Sequence, residues 1–435
     1  MVMFHIAGLC ALQGAFRAFA FPRKRILNTV YHKRRANAIC FPPAAHFFPT
    51  RESMNILHTS DWHIGKRLMD RERLPEQEQA LEEIARICEE RSVELVLVAG
   101  DVFDTYMPSA EAEEVFFRAV KRIAGEERAV VIVSGNHDDG VRLAASAPLA
   151  AEEGIYLFGN GGSAAVLGGG RPVRAVEAGD GYLVMENARG ERVYLNLLPY
   201  PNEARLKEEK TEEGYADRLR RWLERGEAGY RGGMAHILLS HLFVTGGKVS
   251  ESERDIDLGG ARAVPLSLFA PFDYVALGHL HKPQKLGERV RYSGSILQYS
   301  FDESEQKQVV LLHTDGQNIT TEDILLTSGK RLVRLEERDV ARAVQLLKAY
   351  EGAFIELTLH LAAPLTSSET QQLRAANEGL VSLIVRTQGA AVSTVVSRST
   401  LSPGELFAQY YRSVYGDDPA SDLTQAFLEL LEEGA

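Results

Sequence analysis

The segment LVLVAGD, residues 95–101, joins five apolar residues directly to Gly100 and Asp101. A short apolar run of this kind is typical of a strand that is buried on both faces. The aspartate then lies at the carboxyl end of the strand, where open α/β sheets bind their ligands. This segment predicts an α/β fold with its chemistry at the strand ends.

Four other apolar runs of the chain end in the same way. They lead to DWH at residues 61–63, to GNHD at 135–138, to SH at 240–241 and to GHLH at 278–281. Helical stretches at residues 76–90 and 110–123 separate the first runs, which predicts a layered α/β core. Because strand ends share one edge of a sheet, we expect these polar residues to meet in one site.

The residue types at the strand ends predict a metal centre. Carboxylates, imidazoles and one amide, without a thiolate, suit Mn²⁺, Fe²⁺ or Zn²⁺ rather than a structural zinc site. Seven ligands are too many for one ion, so we expect two ions that share Asp101. Asp61, His63 and His281 then complete one ion, and Asn136, His241 and His279 complete the other. Two ions about 3.5–4 Å apart favour an in-line displacement at phosphorus.

His137 follows the candidate ligand Asn136 but is not needed as a ligand. We expect it to stabilise the charge of the scissile phosphate or to protonate the leaving oxygen, with Asp138 orienting its ring. Any one of these histidines could be structural, and each motif alone is a weak signal. All of them in order, each after an apolar strand, favour the two-metal interpretation.

The charge is unevenly distributed along the chain. Residues 1–53 hold eight Lys or Arg and one acidic residue, although the whole chain has a net charge of −11. This segment has no helical or strand period. We expect a non-native or disordered extension, with translation beginning at Met54, and an organelle presequence is the alternative. The acidic remainder argues against a protein that coats nucleic acid through a general basic surface.

The three cysteines, Cys10, Cys40 and Cys88, have no metal or redox spacing. We therefore expect no disulfide framework, and we expect the protein to occupy a reducing compartment. No apolar run is long enough to span a bilayer. Together these features predict a cytoplasmic protein.

The motifs D-x-H, G-D-V-F-D, G-N-H-D and G-H-x-H resemble those of the calcineurin-like metallophosphoesterase superfamily. More narrowly, several segments resemble those of the bacterial SbcD nuclease subunits. They are LHTSDWHIG at 57–65, VAGDVFDT at 98–105, YVALGHLH at 274–281, and YSGS at 292–295 followed by SFDE at 300–303. The resemblance extends from about Met54 to the C-terminus. Ile296 departs from it, because family members often have proline there.

This resemblance implies an α/β fold with a four-layer αββα nuclease domain, a smaller α+β capping domain and C-terminal amphipathic helices. On this basis we expect an N-terminal extension at 1–53, the nuclease domain at 54–327, the DNA-capping domain at 328–400 and partner-binding helices at 401–435. The family implies two Mn²⁺ ions and 3′→5′ exonuclease and endonuclease activity on DNA ends and hairpins. It also implies a homodimer within a heterotetramer with an SbcC-type ATPase. This complex would be associated with the nucleoid and act in DNA repair, recombination and replication.

Two further surfaces are predicted from side-chain patterns. Lys66, Arg67, Arg71, Arg73 and Arg142 follow metal motifs and are candidates for DNA contacts, although a solvated helix face balanced by acidic neighbours is an equal alternative. The terminal helices present apolar stripes that include Leu406, Phe407, Tyr410, Tyr411, Leu423 and Phe427. These stripes suit docking on the coiled coil of a partner ATPase, and packing on the second domain of the same chain is the alternative.

Other functions compatible with the same ligands are another phosphoesterase, either a phosphatase or a small-substrate phosphodiesterase, and a non-catalytic scaffold. Protein phosphatases of the superfamily typically carry an arginine soon after the second motif, and DTYM at 104–107 supplies none. A scaffold would be expected to have lost ligands. The chain has no G-x-x-x-x-G-K-[ST] motif, so any ATP dependence is expected to come from a partner.

Overall fold

The structure is a computed structural model, and the residues that it describes make up most of the chain. They are residues 54–160, 167, 170–201, 214–253, 263–387, 407–408, 411–412, 419–420, 423–424 and 427. The predicted extension at 1–53, the last part of the predicted capping domain at 388–400, and Leu406 and Tyr410 lie outside this set. No helix within the described ranges is both long enough and apolar enough to cross a membrane.

The described strands follow the chain from β1 to β16. They are β1 (Met54–Thr59), β2 (Leu95–Ala99), β3 (Ala129–Val133), β4 (Ile155–Phe158), β5 (Arg174–Gly179), β6 (Tyr182–Glu186), β7 (Arg192–Leu198), β8 (Ala235–His241), β9 (Tyr274–Gly278), β10 (Gln284–Leu286), β11 (Val290–Tyr292), β12 (Gln308–Asp315), β13 (Asn318–Leu325), β14 (Leu332–Glu337), β15 (Phe354–Leu361) and β16 (Leu380–Thr387).

The described helices are interleaved with these strands. They are α1 (Leu74–Glu90), α2 (Ala110–Ala124), α3 (Gly140–Ala144), α4 (Ala147–Glu152), α5 (Tyr215–Glu227), α6 (Val340–Ala349) and α7 (Ser367–Ala376), with a short 3₁₀ helix at Leu266–Phe269.

Two large sheets form the main body. One has six strands in the order β13-β12-β1-β2-β3-β4, in which β1 to β4 are parallel. The other has seven strands in the order β10-β11-β9-β8-β7-β6-β5, in which β7, β8, β9 and β11 are parallel. The five strands that carry the polar motifs are therefore divided between the sheets, three in the first and two in the second.

The apolar run of β2 shows why the sheets form layers. Successive side chains of a strand point to opposite faces, so one strand can serve two cores. Val96 and Val98 pack with residues of α1 and α2, whereas Leu95 and Leu97 pack into a core shared with the second sheet. A third core joins the other face of the second sheet to α5 and to the 3₁₀ helix. The result is the four-layer αββα arrangement that the sequence predicted.

Local signals set the ends of α2. Ser109 precedes the helix, and its hydroxyl accepts a hydrogen bond from the N–H group of Ala112 at 3.3 Å. Gly125 ends the helix with a φ of 52°, a left-handed conformation that glycine adopts at low cost. Between them, Phe116 and Ile123 are buried against the first sheet.

The glycine-rich sequence of residues 159–192 predicts loop and hairpin rather than core. A hairpin is present, formed by β5 and β6. However, Ala175, Leu183 and Met185 are buried in the core between the two large sheets, so the exclusion of this segment from the core is wrong. The glycines on either side made the short strands β5 and β6 difficult to recognise from the sequence. Alternate residues of these strands point into the core.

A third sheet lies near the C-terminus, within the predicted α+β region at 328–400. Its strands β14, β15 and β16 are all parallel and are joined by α6 and α7. Leu347, Leu357 and Leu373 belong to its own apolar core. The sheet also contacts the main body, because Leu332 and Phe354 pack against Leu68. The sequence did not predict β14, and the domain boundary at 328 remains a prediction.

The described residues of the terminal stripes contact one another. The rings of Phe407 and Phe427 stack with their centroids 4.3 Å apart, and the ring of Tyr411 lies 6.0 Å from that of Phe407. Leu423 is exposed. The two predicted stripes therefore share at least one apolar contact with each other.

Candidate metal centre

The loops that follow the five motif strands converge, as the sequence predicted. Backbone N–H groups of Asp61 and His63 donate to the carbonyl oxygens of Gly100 and Asp101, both at 3.0 Å, and so tie the loops after β1 and β2 together. The N–H group of His279 donates to Oδ1 of Asp61 at 2.9 Å and joins the loop after β9 to the first sheet.

Several of these residues have an unusual backbone conformation. Asp61, His63 and Asp101 have φ values of 51°, 45° and 48°, and His279 has a φ of 103°. Non-glycine residues with positive φ cost free energy and are found mostly at functional sites. A Cβ atom at Gly135 would lie 2.1 Å from Oδ1 of Asp101, so that position requires glycine.

The first group of candidate ligands consists of Asp61, His63 and His281. One ligand atom from each lies within 4.8 Å of the others. The Nε2 atoms of His63 and His281 face each other at 2.9 Å. Two imidazole nitrogens in this position are stabilised by a proton or a cation between them.

The second group consists of Asn136, His241 and His279. Oδ1 of Asn136 lies 2.7 Å from Nε2 of His241 and 3.1 Å from Nδ1 of His279. Oδ2 of Asp101 lies 3.4 Å from Nε2 of His241 and 3.5 Å from Nε2 of His63. A single oxygen of Asp101 is therefore directed toward both groups, as a shared ligand would be.

All seven side chains are buried, and Asn136, at 6% exposure, is the most accessible of them. Burial of so many polar groups is costly unless they are paired with each other or with a cation. The donor set of carboxylates, imidazoles and one amide fits a divalent transition ion. The residues present therefore fit a pair of such ions.

The second nitrogen of two histidines is held by a hydrogen-bonding neighbour, and that of a third lies beside a carboxylate. Nδ1 of His241 lies 2.8 Å from the carbonyl oxygen of Ala99. Nδ1 of His63 lies 3.2 Å from Oδ1 of Asp104, and Nδ1 of His281 lies 2.5 Å from Oγ of Ser252. Such contacts fix the tautomer, so that Nε2 is presented as a metal ligand.

The pKa values indicate neutral imidazoles at two positions. Burial lowers the pKa of both His63 and His279 to about 3, which keeps these rings in the form that binds metals. His241 differs. Although burial lowers its pKa, the nearby carboxylate of Asp101 raises it to about 9 in the metal-free site. Burial also raises the pKa of Asp101, but His241 and His137 hold it well below its usual range.

His137 lies beside the first group, with its ring centroid 4.8 Å from that of His63. Its Nδ1 lies 2.7 Å from the carbonyl oxygen of Asp104. The carboxylate of Asp138 instead accepts hydrogen bonds from the N–H groups of Val102, Phe103 and Gly135, at 2.8–3.2 Å. The carboxylate of Asp138 thus holds the backbone of the loops, and the carbonyl oxygen of Asp104 lies against the ring of His137. The orienting role of Asp138 remains a prediction.

Sequence reasoning assigned no role to Asp104, Ser252 and Glu303. Asp104 and Glu303 lie within the quoted motifs GDVFD and SFDE, which was the only signal available for them. Asp104 also accepts a hydrogen bond from Nζ of Lys66 at 2.8 Å. All three residues lie behind candidate ligands, so their role depends on contacts between distant segments.

The five candidate DNA contacts have different environments. Arg73 is 1% exposed, with its guanidinium over the rings of Tyr299 and Phe354, so it is a structural residue and not a DNA contact. Arg67 pairs with an acidic neighbour on the surface. The other surface contacts are those of Arg71 with the carbonyl of Glu378 and of Arg142 with Glu113. Lys66 pairs with Asp104.

Comparison with known proteins identifies the family to which this fold belongs. The family described as calcineurin-like phosphoesterase matches residues 54–283, and the chain belongs to that family. It is a family of hydrolases, and its metal dependence fits the histidine and aspartate clusters described above.

A curated relative narrows the family further. The SbcD component of the SbcCD nuclease of Bacillus subtilis (strain 168) is 32% identical over 401 residues, covering 87% of this chain and 97% of the relative, which places the chain among the SbcD proteins. A crystal structure of TT1561 of Thermus thermophilus is 18% identical, covers 62% of this chain and 99% of that chain, and gives a TM-score of 0.31. A likeness at that score does not define a shared fold.

Proposed function

We propose that this chain is the nuclease subunit of an SbcCD-type complex and hydrolyses DNA phosphodiester bonds with two divalent metal ions, Mn²⁺ in particular. The observation that carries the proposal is the position of Oδ2 of Asp101, which faces His63 on one side and His241 on the other. Family membership and the similarity to the Bacillus subtilis nuclease component support DNA as the substrate.

Each side chain has a distinct task in this proposal. Asp61, His63 and His281 would hold one ion, and Asn136, His241 and His279 would hold the other, with Asp101 as a ligand shared by both. When bound, the two ions supply activation of water and neutralisation of phosphate charge. His137, held at Nδ1 by Asp104, presents Nε2 to the substrate and delivers a proton to the leaving oxygen.

The proposed activities are 3′→5′ exonuclease and endonuclease cleavage of DNA ends and hairpins, in DNA repair, recombination and replication. Lys66, Arg67, Arg71 and Arg142 are the proposed DNA contacts, and Arg73 is no longer among them. A phosphatase remains the alternative that uses the same ligands, and the absence of an arginine in residues 104–107 disfavours it.

The test is a comparison of the wild-type protein with Asp101→Asn and His241→Ala. We expect the wild-type protein to bind two Mn²⁺ ions and to cleave linear duplex DNA. Each variant should remain folded but bind fewer ions, and its cleavage rate should fall to background, because a ligand is lost. Full cleavage by either variant after metal depletion and Mn²⁺ addition would contradict the assignment, and cleavage of only a phosphomonoester substrate would favour the phosphatase.

A partner is proposed for residues 401–435, which would bind the coiled coil of an SbcC-type ATPase. We expect deletion of this segment to leave a soluble protein that cleaves simple DNA ends but no longer co-purifies with the ATPase. Co-expression followed by affinity purification measures this. Insolubility of the truncated protein would mean that the segment belongs to its own core.

The proposed complex contains a homodimer of this chain. Exposed apolar side chains around α2 and α3 support it, since Met107 is 80%, Val141 69% and Phe117 53% exposed. Tyr106 and Phe117 line the same small surface depression. Apolar side chains that are exposed side by side are typical of interaction surfaces, whereas single exposed ones are normal.

A further inference from the structure

A buried chain of hydrogen bonds lies behind the candidate ligand His281. Nε2 of His281 faces His63, while Nδ1 lies 2.5 Å from Oγ of Ser252. The same Oγ donates to Oε1 of Glu303 at 2.5 Å. Oε2 of Glu303 accepts from Nζ of Lys307, also at 2.5 Å, and Glu303 is 1% exposed.

The direction of these hydrogen bonds follows from the role of His281. If Nε2 binds a metal ion, Nδ1 carries the ring proton and donates it to Oγ of Ser252. The hydroxyl then has its own proton available for the carboxylate of Glu303. The carboxylate itself lies 3.6 Å from Nδ1, too far for a hydrogen bond, so its hydrogen-bonded path to the imidazole ring runs through the serine.

The backbone of His281 is held by the same group of residues. Its N–H group donates to Oε1 of Glu253 at 2.7 Å. Its carbonyl oxygen accepts from Nζ of Lys307 at 2.7 Å. The imidazole ring, the backbone N–H group and the backbone carbonyl group of His281 are therefore each held by a polar contact.

Stability alone is a weak explanation for this network. Removing Lys307 and Glu303 from water costs free energy that their mutual attraction offsets only in part, so a buried ion pair adds little net stability. Groups behind a metal ligand, in contrast, typically change metal affinity 10–100-fold by orienting the ligand and raising its basicity. The competing explanation is that Glu303 only supports its own loop, because it also accepts from the N–H group of Tyr299 at 3.2 Å.

We propose that Glu303 is a positioning residue for the metal ion at Asp61, His63 and His281, and that it acts on His281 through the hydroxyl of Ser252. The proposal rests on the two-metal function given above. It predicts that Ser252 and Glu303 act as one unit in metal binding.

The test is a double-mutant cycle of Ser252→Ala and Glu303→Gln. Metal-stripped protein is titrated with Mn²⁺ in a calorimeter, and the binding event that disappears in His63→Ala identifies the relevant ion. We expect each single substitution to weaken that event roughly 10–100-fold and to leave the other event within about 3-fold. The double variant should be no weaker than the single variants, because the relay is already broken.

Two controls separate positioning from structural support. Ser252→Thr keeps the hydroxyl and should restore Mn²⁺ affinity to within about 3-fold of wild type. Glu83→Gln alters another buried carboxylate, which accepts four hydrogen bonds from Thr327 and Ser328, and should leave Mn²⁺ affinity unchanged.

Fully additive losses in the double variant would overturn the relay, as would an unchanged affinity in Ser252→Ala. If Glu303→Gln does not fold, Ser252→Ala and Ser252→Thr decide the question by themselves. A wild-type protein that binds fewer than two ions would overturn the two-metal function and the relay with it. A wild-type protein that binds two ions while Ser252→Ala behaves identically would overturn the relay alone.

Discussion

Asp101 at the metal centre and Glu83 on α1 are both buried carboxylates, but their surroundings differ. Glu83 accepts four hydrogen bonds from Thr327 and Ser328, at 2.6–3.0 Å, and lies in a regular helix. Oδ2 of Asp101 faces only imidazoles, at 3.4 and 3.5 Å, from a residue with positive φ. Contacts of that length are weak hydrogen bonds.

The difference distinguishes two uses of a buried charge. The carboxylate of Glu83 is satisfied by neutral donors and stabilises the junction between α1 and the segment after β13. The carboxylate of Asp101 is left with unused acceptor capacity among nitrogen ligands, which is the condition for binding a cation. A buried carboxylate is therefore a candidate ligand when its own chain does not satisfy it.

The largest expected effect concerns His137, which belongs to the metal centre but not to the ligand set. His137→Ala should bind both Mn²⁺ ions, because Asn136 is the neighbouring ligand, and should lose about 10²–10⁴-fold in turnover. Metal content measured beside single-turnover DNA cleavage checks this. Loss of an ion from the variant would move His137 into the ligand set.

Glu83→Gln tests the stabilising side of the comparison. We expect the free energy of unfolding to fall by about 1–3 kcal/mol at pH 7, because hydrogen bonds to a charged acceptor are lost. Although burial raises the pKa of Glu83, hydrogen bonds from Ser328 and Thr327 lower it below its usual value in the folded protein. Its contribution is thus present above the unfolded pKa of about 4.3 and is lost as pH falls through the lower folded value.

Urea unfolding at pH 7 and near pH 3.5 measures this difference. The loss in Glu83→Gln should shrink at the lower pH. Glu82→Gln, an exposed neighbour that pairs with Arg122, is the matched control and should change stability by less than about 1 kcal/mol. A loss in Glu82→Gln as large as that in Glu83→Gln would contradict the prediction, because the four hydrogen bonds of the buried carboxylate would then contribute no more than a surface ion pair.

The smallest expected effect concerns the surface beside the metal centre. Neutralising Lys66 and Arg67 to glutamine should weaken DNA binding and lower the slope of log affinity against log salt by about 1–2. Equilibrium binding at several salt concentrations measures the slope. Arg118 and Arg122 on α2 pair with acidic residues in a similar way, and their neutralisation is the control. Equal slopes for wild type and the Lys66 and Arg67 variant would make those two residues ordinary surface.

Neighbours in the chain are sufficient to predict some of these features. An apolar run followed by Asp101 or by His279 predicts a buried strand with a ligand at its end, and the structure has β2 and β9 at those positions. The layered α/β class followed from the same pattern, because burial on both faces of a strand requires layers on both sides. The side-chain types of the candidate ligands can likewise be read from single positions of the sequence. These types indicate the class of metal ion.

Other features depend on segments that meet only in the folded chain. Arg73 belongs to a charged stretch that resembles a solvated surface, yet Tyr299 and Phe354 cover it. The contacts of His281 with Ser252 and Glu303, and of His137 with Asp104, join residues whose spacing has no period. Local sequence patterns indicate backbone conformation, because adjacent residues determine it. The burial of a side chain and the groups that contact a ligand from behind depend instead on packing between distant residues. The sequence by itself therefore determined the class of fold and the candidate ligands, and only the tertiary structure decided which charges are buried and what holds each ligand in place.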